Sequence, residues 1–208
     1  MKKLLERIKL CKLPPPQRRS LPYECYWEDS ILTQEQERIF SNQWLGLGRS
    51  DRLENPGEYE VFELCGQALV LIRNQDKELR LYANTCRHRG AKLLDGTGQC
   101  QAISCPFHGW TYSLDGNLKH AKTMAENPSF DFEEHSLIEY KLKELQGFLF
   151  VFLGNKPTDL SNQLGNFSEL HQPWSMNELV TTRRATFEVQ CNWKAFLDVF
   201  NEYYHLNN

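Results

Sequence analysis

The chain has 208 residues, of which 40 % are hydrophobic and 12 % aromatic, a globular rather than a disordered composition. Twenty-four Lys and Arg against 27 Asp and Glu leave a formal charge of −3 and a pI near 6.1, so there is no basic footprint for nucleic acid. Mean hydropathy is −0.58 and the longest apolar run is Phe148–Leu153, far short of the roughly 20 residues a membrane span needs.

The start, Met1 to Leu13, is basic, but Glu6 and Lys9 interrupt any apolar core of a secretory signal. Leu4, Leu5, Ile8 and Cys11 can share one helical face, which predicts a short surface helix or loose leader, with a membrane-surface anchor as the alternative. Pro14-Pro15-Pro16 ends that segment. Ser30 to Gln43 reads as a helix with Ile31, Leu32, Ile39 and Phe40 on one face and Asp29 or Ser30 as its cap. Asn55-Pro56-Gly57 is a turn signal. β-like runs follow at Tyr59–Leu64, Ala68–Arg73 and Leu79–Ala83. Gly66-Gln67 is the predicted hairpin turn between the first two, and Asn74–Glu78 a polar turn before the third. Gly147 to Leu153 is a further buried strand. Short strands at this spacing predict an antiparallel sandwich or barrel. A polar stretch from Asn155 to about Gly165 marks a boundary, Thr181–Gln190 reads as one more strand, and Ala195–His205 as a helix.

Seven cysteines, at positions 11, 25, 65, 86, 100, 105 and 191, are odd in number and irregularly spaced, a poor disulfide framework. A reducing cytoplasm is therefore the expected compartment, where cysteines beside histidines point to metal. Cys25, Cys65 and Cys191 read as small core residues and Cys100 as a bystander in a polar turn.

The informative stretch is Cys86-Arg-His88-Arg-Gly90 and, after sixteen intervening residues, Cys105-Pro-Phe-His108-Gly109-Trp110. Two loops each offer one thiolate and one imidazole. Such a set can hold one tetrahedral zinc, or a [2Fe-2S] cluster with both Cys on one iron and both His on the other. Mixed C-x-H and C-x-x-H pairs argue against a zinc finger, whose pairs run C-x₂₋₄-C and H-x₃₋₅-H. Neutral imidazoles in place of two thiolates would lift a cluster's potential from roughly −400 mV to between about −150 and +300 mV. Gly90 and Gly109 can adopt positive φ or offer their amides to the cluster sulfurs, with ordinary turn glycines as an equal alternative. Trp110 and Tyr112 would shield it from water, core packing being the plainer alternative for both. Arg87, Arg89 and Lys92 form either a docking rim for an acidic electron donor or simple solvated charge.

CRHRG, CPFHGWTY and SLDGNL together resemble the Rieske domain of the Rieske non-heme iron oxygenases, the ring-hydroxylating dioxygenase α subunits and their monooxygenase relatives. The resemblance implies that Cys86 and Cys105 bind one iron of the cluster and His88 and His108 the other. The ligand loops lack the extra cysteine pair of the respiratory Rieske proteins, holding Arg89-Gly90 and Pro106-Phe107 there instead.

At the far end, Asn192-Trp193-Lys194 is followed by Asp198, Glu202, Tyr204 and His205. Asp198, Glu202 and His205 can share one helical face, at spacings of four and three. Alone this reads as a solvated helix face or the start of a two-histidine, one-carboxylate iron site. It also resembles the opening helix of the catalytic domain in the same family. That implies His205 as the first ligand of a mononuclear Fe(II). It implies Glu202 as the electron-transfer bridge toward a Rieske histidine, His108 of a neighbouring subunit, with Asn192 and Asp198 in support.

The fold expected is therefore mainly β: an antiparallel Rieske-type β-sandwich with an N-terminal helix, followed by the truncated start of an α+β catalytic domain. Its divisions are residues 1–44, leader and helix; 45–157, the [2Fe-2S] domain; and 158–208, linker and incomplete mononuclear-iron domain. The implied cofactors are a [2Fe-2S] cluster and, in the intact enzyme, mononuclear Fe(II). The implied partners are an NAD(P)H-dependent reductase or ferredoxin, a small organic substrate with O₂, and two further copies in a homotrimer. The product would be a hydroxylated substrate, a cis-diol or a demethylated amine, with choline-monooxygenase and quaternary-amine-demethylase relatives as the nearest in look. The family's remaining iron ligands would fall beyond Asn208, so these 208 residues alone are expected to hold the cluster without activating oxygen. A stand-alone Rieske ferredoxin-like carrier is the alternative, and exposed apolar surface is expected after about residue 160.

Overall fold

The computed structural model describes residues 2–201. Two compact units emerge: the chain up to Ile39 together with the chain from Arg184 onward, and Phe40–Arg183.

The larger unit is built from three antiparallel sheets. The first contains β1 (Trp44–Arg49), β10 (Phe148–Phe152) and β9 (Lys141–Leu145), in that order. In the second the order is β4 (Leu79–Ala83), β3 (Gln67–Arg73), β2 (Glu58–Leu64) and β5 (Thr97–Gln99). The third is small: β6 (Ile103–Ser104), β7 (Thr111–Tyr112) and β8 (Leu118–His120).

β3 explains the layering. Its residues Leu69, Val70, Leu71 and Ile72 are all fully buried. Successive side chains of a strand point to opposite faces, so this run must be covered on both. Leu69 and Leu71 join Leu81, Leu149 and Val151 in one core. Val70 and Ile72 face the other way, into a core with Tyr82, Cys86, Cys105 and Trp110. β4 divides likewise, Leu81 to the first core and Tyr82 to the second. The two-sided apolar sequence of β3 thus places one wall of the sandwich directly behind the two cysteines.

Four of the five predicted strands recur with ends unchanged or shifted by one residue, but the hairpin turn differs. Leu64 pairs with Gln67, so the turn is Cys65-Gly66 rather than Gly66-Gln67. Both have positive φ, 52° and 76°, the type I′ geometry whose twist matches the flanking strands. Cys65 consequently sits half-buried at a turn and is not a core residue. Asn74 closes the next turn: buried, it accepts from the Glu78 amide at 2.8 Å and donates to Asp115 at 2.9 Å.

The polar stretch after Pro157 is ordered. Asp159 caps α4 (Leu160–Leu164) by accepting from the Ser161 amide, and Leu160 is buried with Trp44 and Phe152. A second short helix, α5 (Phe167–His171), follows. Arg49 then donates to the carbonyls of Gln146, Met176 and Leu179, and Asp51 accepts from the Thr181 amide and hydroxyl.

In the smaller unit, α1 (Lys2–Lys9) is followed by a 3₁₀ turn at Leu10–Lys12 and by α2 (Glu24–Trp27) and α3 (Asp29–Arg38). The predicted helix at 30–43 is shorter than expected: α3 stops at Arg38, and a separate 3₁₀ turn occupies Phe40–Asn42. Its cap is Glu28, in extended conformation, and no side chain closes it, so neither Asp29 nor Ser30 plays that part. Thr181–Gln190 is not a strand. Its residues are exposed and belong to no sheet among the described residues, so the β-like alternation has no ladder to join. Cys25 is buried as expected, but Cys191 is exposed. The last described helix is α6 (Trp193–Asn201). The expected apolar exposure is present: Leu170, Trp174, Phe187, Val199 and Phe200 are all largely open.

Candidate metal centre

The two ligand loops close in the same way despite their different spacing. In the loop after β4, the Cys86 amide donates to the Ala91 carbonyl at 2.8 Å and the Gly90 amide donates back to the Cys86 carbonyl at 2.9 Å. In the loop between β6 and β7, the Cys105 amide donates to the Trp110 carbonyl at 2.7 Å and the Gly109 amide to the Cys105 carbonyl at 3.0 Å. Each loop therefore turns on a glycine four residues after its cysteine, with φ of 74° at Gly90 and 73° at Gly109. A side chain is strained there. The positive φ matches expectation. The amides, however, are spent on the loops' own carbonyls rather than offered to the cluster sulfurs. Asn84, buried just before the first loop, brackets it by donating to the Leu94 carbonyl at 2.8 Å and accepting from the Leu94 amide at 3.0 Å.

The thiols and the imidazoles occupy different environments. Cys86 and Cys105 are 3 % and 4 % exposed and belong to the same apolar core behind β3. Burial pushes the Cys86 thiol up, so its thiolate needs a compensating cation. His88 is half-buried and His108 exposed, with ring centroids 4.8 Å apart. Partial desolvation and the neighbouring His108 push the His88 imidazole down, which favours the neutral form a metal requires. Trp110 stacks on His88 at 4.8 Å with planes 10° apart and fixes that ring. The two histidines, Trp110, Lys122, Thr123 and Met124 line an open recess of about 330 Å³.

Tyr112 does more than shield. It is fully buried, its oxygen accepts the Arg87 amide at 3.0 Å, and it lies 3.3 Å from Cys86 Sγ. With one lone pair taken by that amide, the phenolic hydrogen is left to donate to sulfur. Of the three basic rim residues, Arg87 and Arg89 are exposed, and Lys92 is paired with Asp95.

Among the described residues, no three of His, Cys, Asp or Glu converge on a point where one metal ion would sit. The donors are split two and two, buried sulfur pair and outward imidazole pair. A single zinc needs all four around it. A dinuclear cluster with one iron facing each pair fits this donor set.

The second constellation is described in part. Asn192 caps α6, its side chain accepting from the Lys194 amide at 3.1 Å. Asp198 accepts a 2.7 Å hydrogen bond from the Tyr26 hydroxyl, which this contact and burial push up to about 12. Glu35 accepts from Trp193 Nε1 at 2.8 Å and pairs with buried Lys194 at 2.7 Å. Tyr26 and Glu35 carry no motif in the sequence, and only the docking of α6 on α2 and α3 reveals them. Glu202, Tyr204 and His205 lie outside the described residues.

Comparison with known proteins agrees with this geometry. A Rieske [2Fe-2S] domain matches residues 43–136, and the catalytic domain of ring-hydroxylating α subunits matches 176–208. The chain belongs to the Rieske non-heme iron oxygenase family. Within that family it is 32 % identical over 194 residues to the carnitine monooxygenase oxygenase subunit of Escherichia coli (strain K12), covering 92 % of this chain and 52 % of the relative. It is 29 % identical over 201 residues to the chloroplastic choline monooxygenase of Beta vulgaris, covering 94 % and 45 %. The apo crystal structure of the quaternary ammonium Rieske monooxygenase CntA superposes with a TM-score of 0.84 at 34 % identity, covering 90 % of this chain and 56 % of that one. The chain thus spans about half the length of the Rieske oxygenases it matches.

Proposed function

We propose that this chain is the cluster-bearing part of a Rieske oxygenase component. In this reading Cys86 and Cys105 hold one iron of a [2Fe-2S] cluster, and His88 and His108 hold the other. The observation that carries it is the split donor set, two buried thiols behind two outward imidazoles. When bound, the cluster supplies one-electron storage between an NAD(P)H-dependent reductase or ferredoxin and a mononuclear Fe(II) that activates O₂. The protein's part is to keep the sulfurs dry, to hold His88 flat against Trp110, and to leave His108 accessible for electron exchange.

Glu202 is proposed as the bridge to a Rieske histidine and His205 as a ligand of the mononuclear iron. Their support is spacing: they follow the capped start of α6 at positions four and seven after Asp198. The domain division 1–44, 45–157 and 158–208 is proposed with them, as are a homotrimer and a cytoplasmic setting. Among the described residues no helix is long and apolar enough to cross a membrane. The substrate class we propose is a quaternary ammonium compound, demethylated or hydroxylated, because relatives named for carnitine, glycine betaine and choline all align over nine-tenths or so of the chain.

The test is anaerobic purification followed by iron, sulfide and zinc analysis. Two irons with two sulfides per chain support the cluster assignment, and a third iron adds the mononuclear site. Zinc without sulfide overturns it. Oxygen consumption with carnitine, glycine betaine and choline then tests the substrate class.

A further inference from the structure

The charge of this chain is distributed unevenly. The first 19 residues contain seven Lys and Arg and one Glu, a formal +6, so the other 189 carry −9 within the total of −3. That basic segment contains α1, whose residues sort cleanly by side at 100° per residue. Leu4, Leu5 and Ile8 fall on one side, and Lys2, Lys3, Glu6, Arg7 and Lys9 on the other. Folding does not use the apolar side fully. No residue of α1 is buried, and Leu5 remains 49 % exposed. Arg7 ties α1 to Glu24 of α2. On α2's own flank Tyr23 and Trp27, one helical turn apart, stand 72 % and 81 % exposed. Exposed Trp and Tyr are the side chains that favour the boundary between headgroups and hydrocarbon.

We propose that the N-terminal segment docks on an anionic phospholipid surface, with the lysines over the headgroups and the Leu4, Leu5, Ile8 side turned into the acyl boundary. Charge complementarity selects an anionic partner. The apolar stripe beside the cations, with two open aromatics in the adjoining helix, favours lipid over an acidic protein, for which charge alone would serve. The segment lies on the surface and does not cross it: eight residues of helix span about 12 Å, against a hydrocarbon core of about 30 Å. The inference is independent of the oxygenase reading, since it uses no residue of the metal centre.

The experiment is co-sedimentation of the 208-residue chain with phosphatidylserine–phosphatidylcholine vesicles and with pure phosphatidylcholine vesicles, at low and at high salt. Binding is expected only with phosphatidylserine and is expected to weaken with salt. At about fivefold per charge, K2Q/K3Q/K9Q should weaken it roughly 100-fold. L5Q, which keeps every charge, should weaken it roughly tenfold. The far-ultraviolet circular dichroism and thermal midpoint, unchanged in both variants, verify folding. Equal binding to both vesicle types, or full binding by either variant, overturns the proposal. Binding to polyglutamate but not to vesicles assigns the patch to an acidic protein and also overturns it.

Discussion

Replacing Tyr112 with Phe removes one oxygen and little else, because the ring is fully buried and its packing is kept. That oxygen lies 3.3 Å from Cys86 Sγ and accepts from the Arg87 amide at 3.0 Å. A hydrogen bond to a charged group contributes about 1.5–3 kcal/mol. Sulfur carries more negative charge in the reduced cluster, so O–H donation favours that state, and its loss lowers the reduction potential. For one electron, about 59 mV corresponds to a tenfold change, or about 1.4 kcal/mol. The full bond would thus be worth roughly 65–130 mV. It exists in both oxidation states and only the difference counts, so a fall of roughly 30–60 mV is the expectation. Spectroelectrochemical titration of wild type and Tyr112→Phe, with iron and sulfide content verified equal, measures it. An unchanged or raised potential at full cluster occupancy would refute the reasoning, since the hydroxyl would then not be donating to sulfur.

Cys105→Ser should abolish the cluster, read as loss of visible absorbance and of acid-labile sulfide; a variant that keeps both would remove Cys105 from the ligand set. Gly109→Ala should cost about 1–2 kcal/mol in thermal stability, from positive φ alone, because no atom lies within 4 Å of the added Cβ. Leu71→Ala, at a fully buried position between two sheets, should cost about 2–5 kcal/mol in denaturant unfolding. The Asp51 carboxyl is held below its usual range, chiefly by the Thr181 amide. A depressed carboxylate stabilises the folded state above its unfolded pKa of about 3.9 and loses that contribution as pH falls through the folded value. Trypsin cleavage after Arg183 in Asp51→Asn at neutral pH should therefore be faster than in wild type, and equal rates would show that the Asp51–Thr181 contact does not hold this segment.

What could be read from the sequence was local. Alternation and β-branched runs located β2, β3 and β4 to within a residue, because each strand's burial is set by its own pattern. The two Cys-His loops of the candidate centre are legible because each carries its own pair, and a glycine four residues after each cysteine marks the shared turn. The failures have non-local causes. Thr181–Gln190 alternates like a strand, but a strand is made by its partner, and none lies alongside among the described residues. The sequence leaves Gly90 and Gly109 open between amide donors to sulfur and ordinary turn glycines, and only the folded loops show their own carbonyls taking the amides. Glu35 and Lys194 are 159 residues apart, and no spacing rule joins them.

That distant pair has an energetic meaning. Lys194 and Glu35 are both largely shielded, and a buried ion pair seldom gains much over an apolar pair of the same volume. Breaking it by removing one partner is costly, because the other charge stays behind, desolvated. Glu35 also accepts from Trp193, and Asp198, one turn further on, accepts from Tyr26. Such an arrangement contributes less to stability than to uniqueness: it admits α6 in one rotation and one register against α2 and α3. A helix with Phe196, Leu197, Val199 and Phe200 all substantially exposed has no apolar face that would fix its rotation by burial. Directional polar contacts take over that task. Tyr26 of α2 and Glu35 of α3, which no spacing rule in the sequence joins to Trp193–Asn201, therefore fix how α6 sits against them.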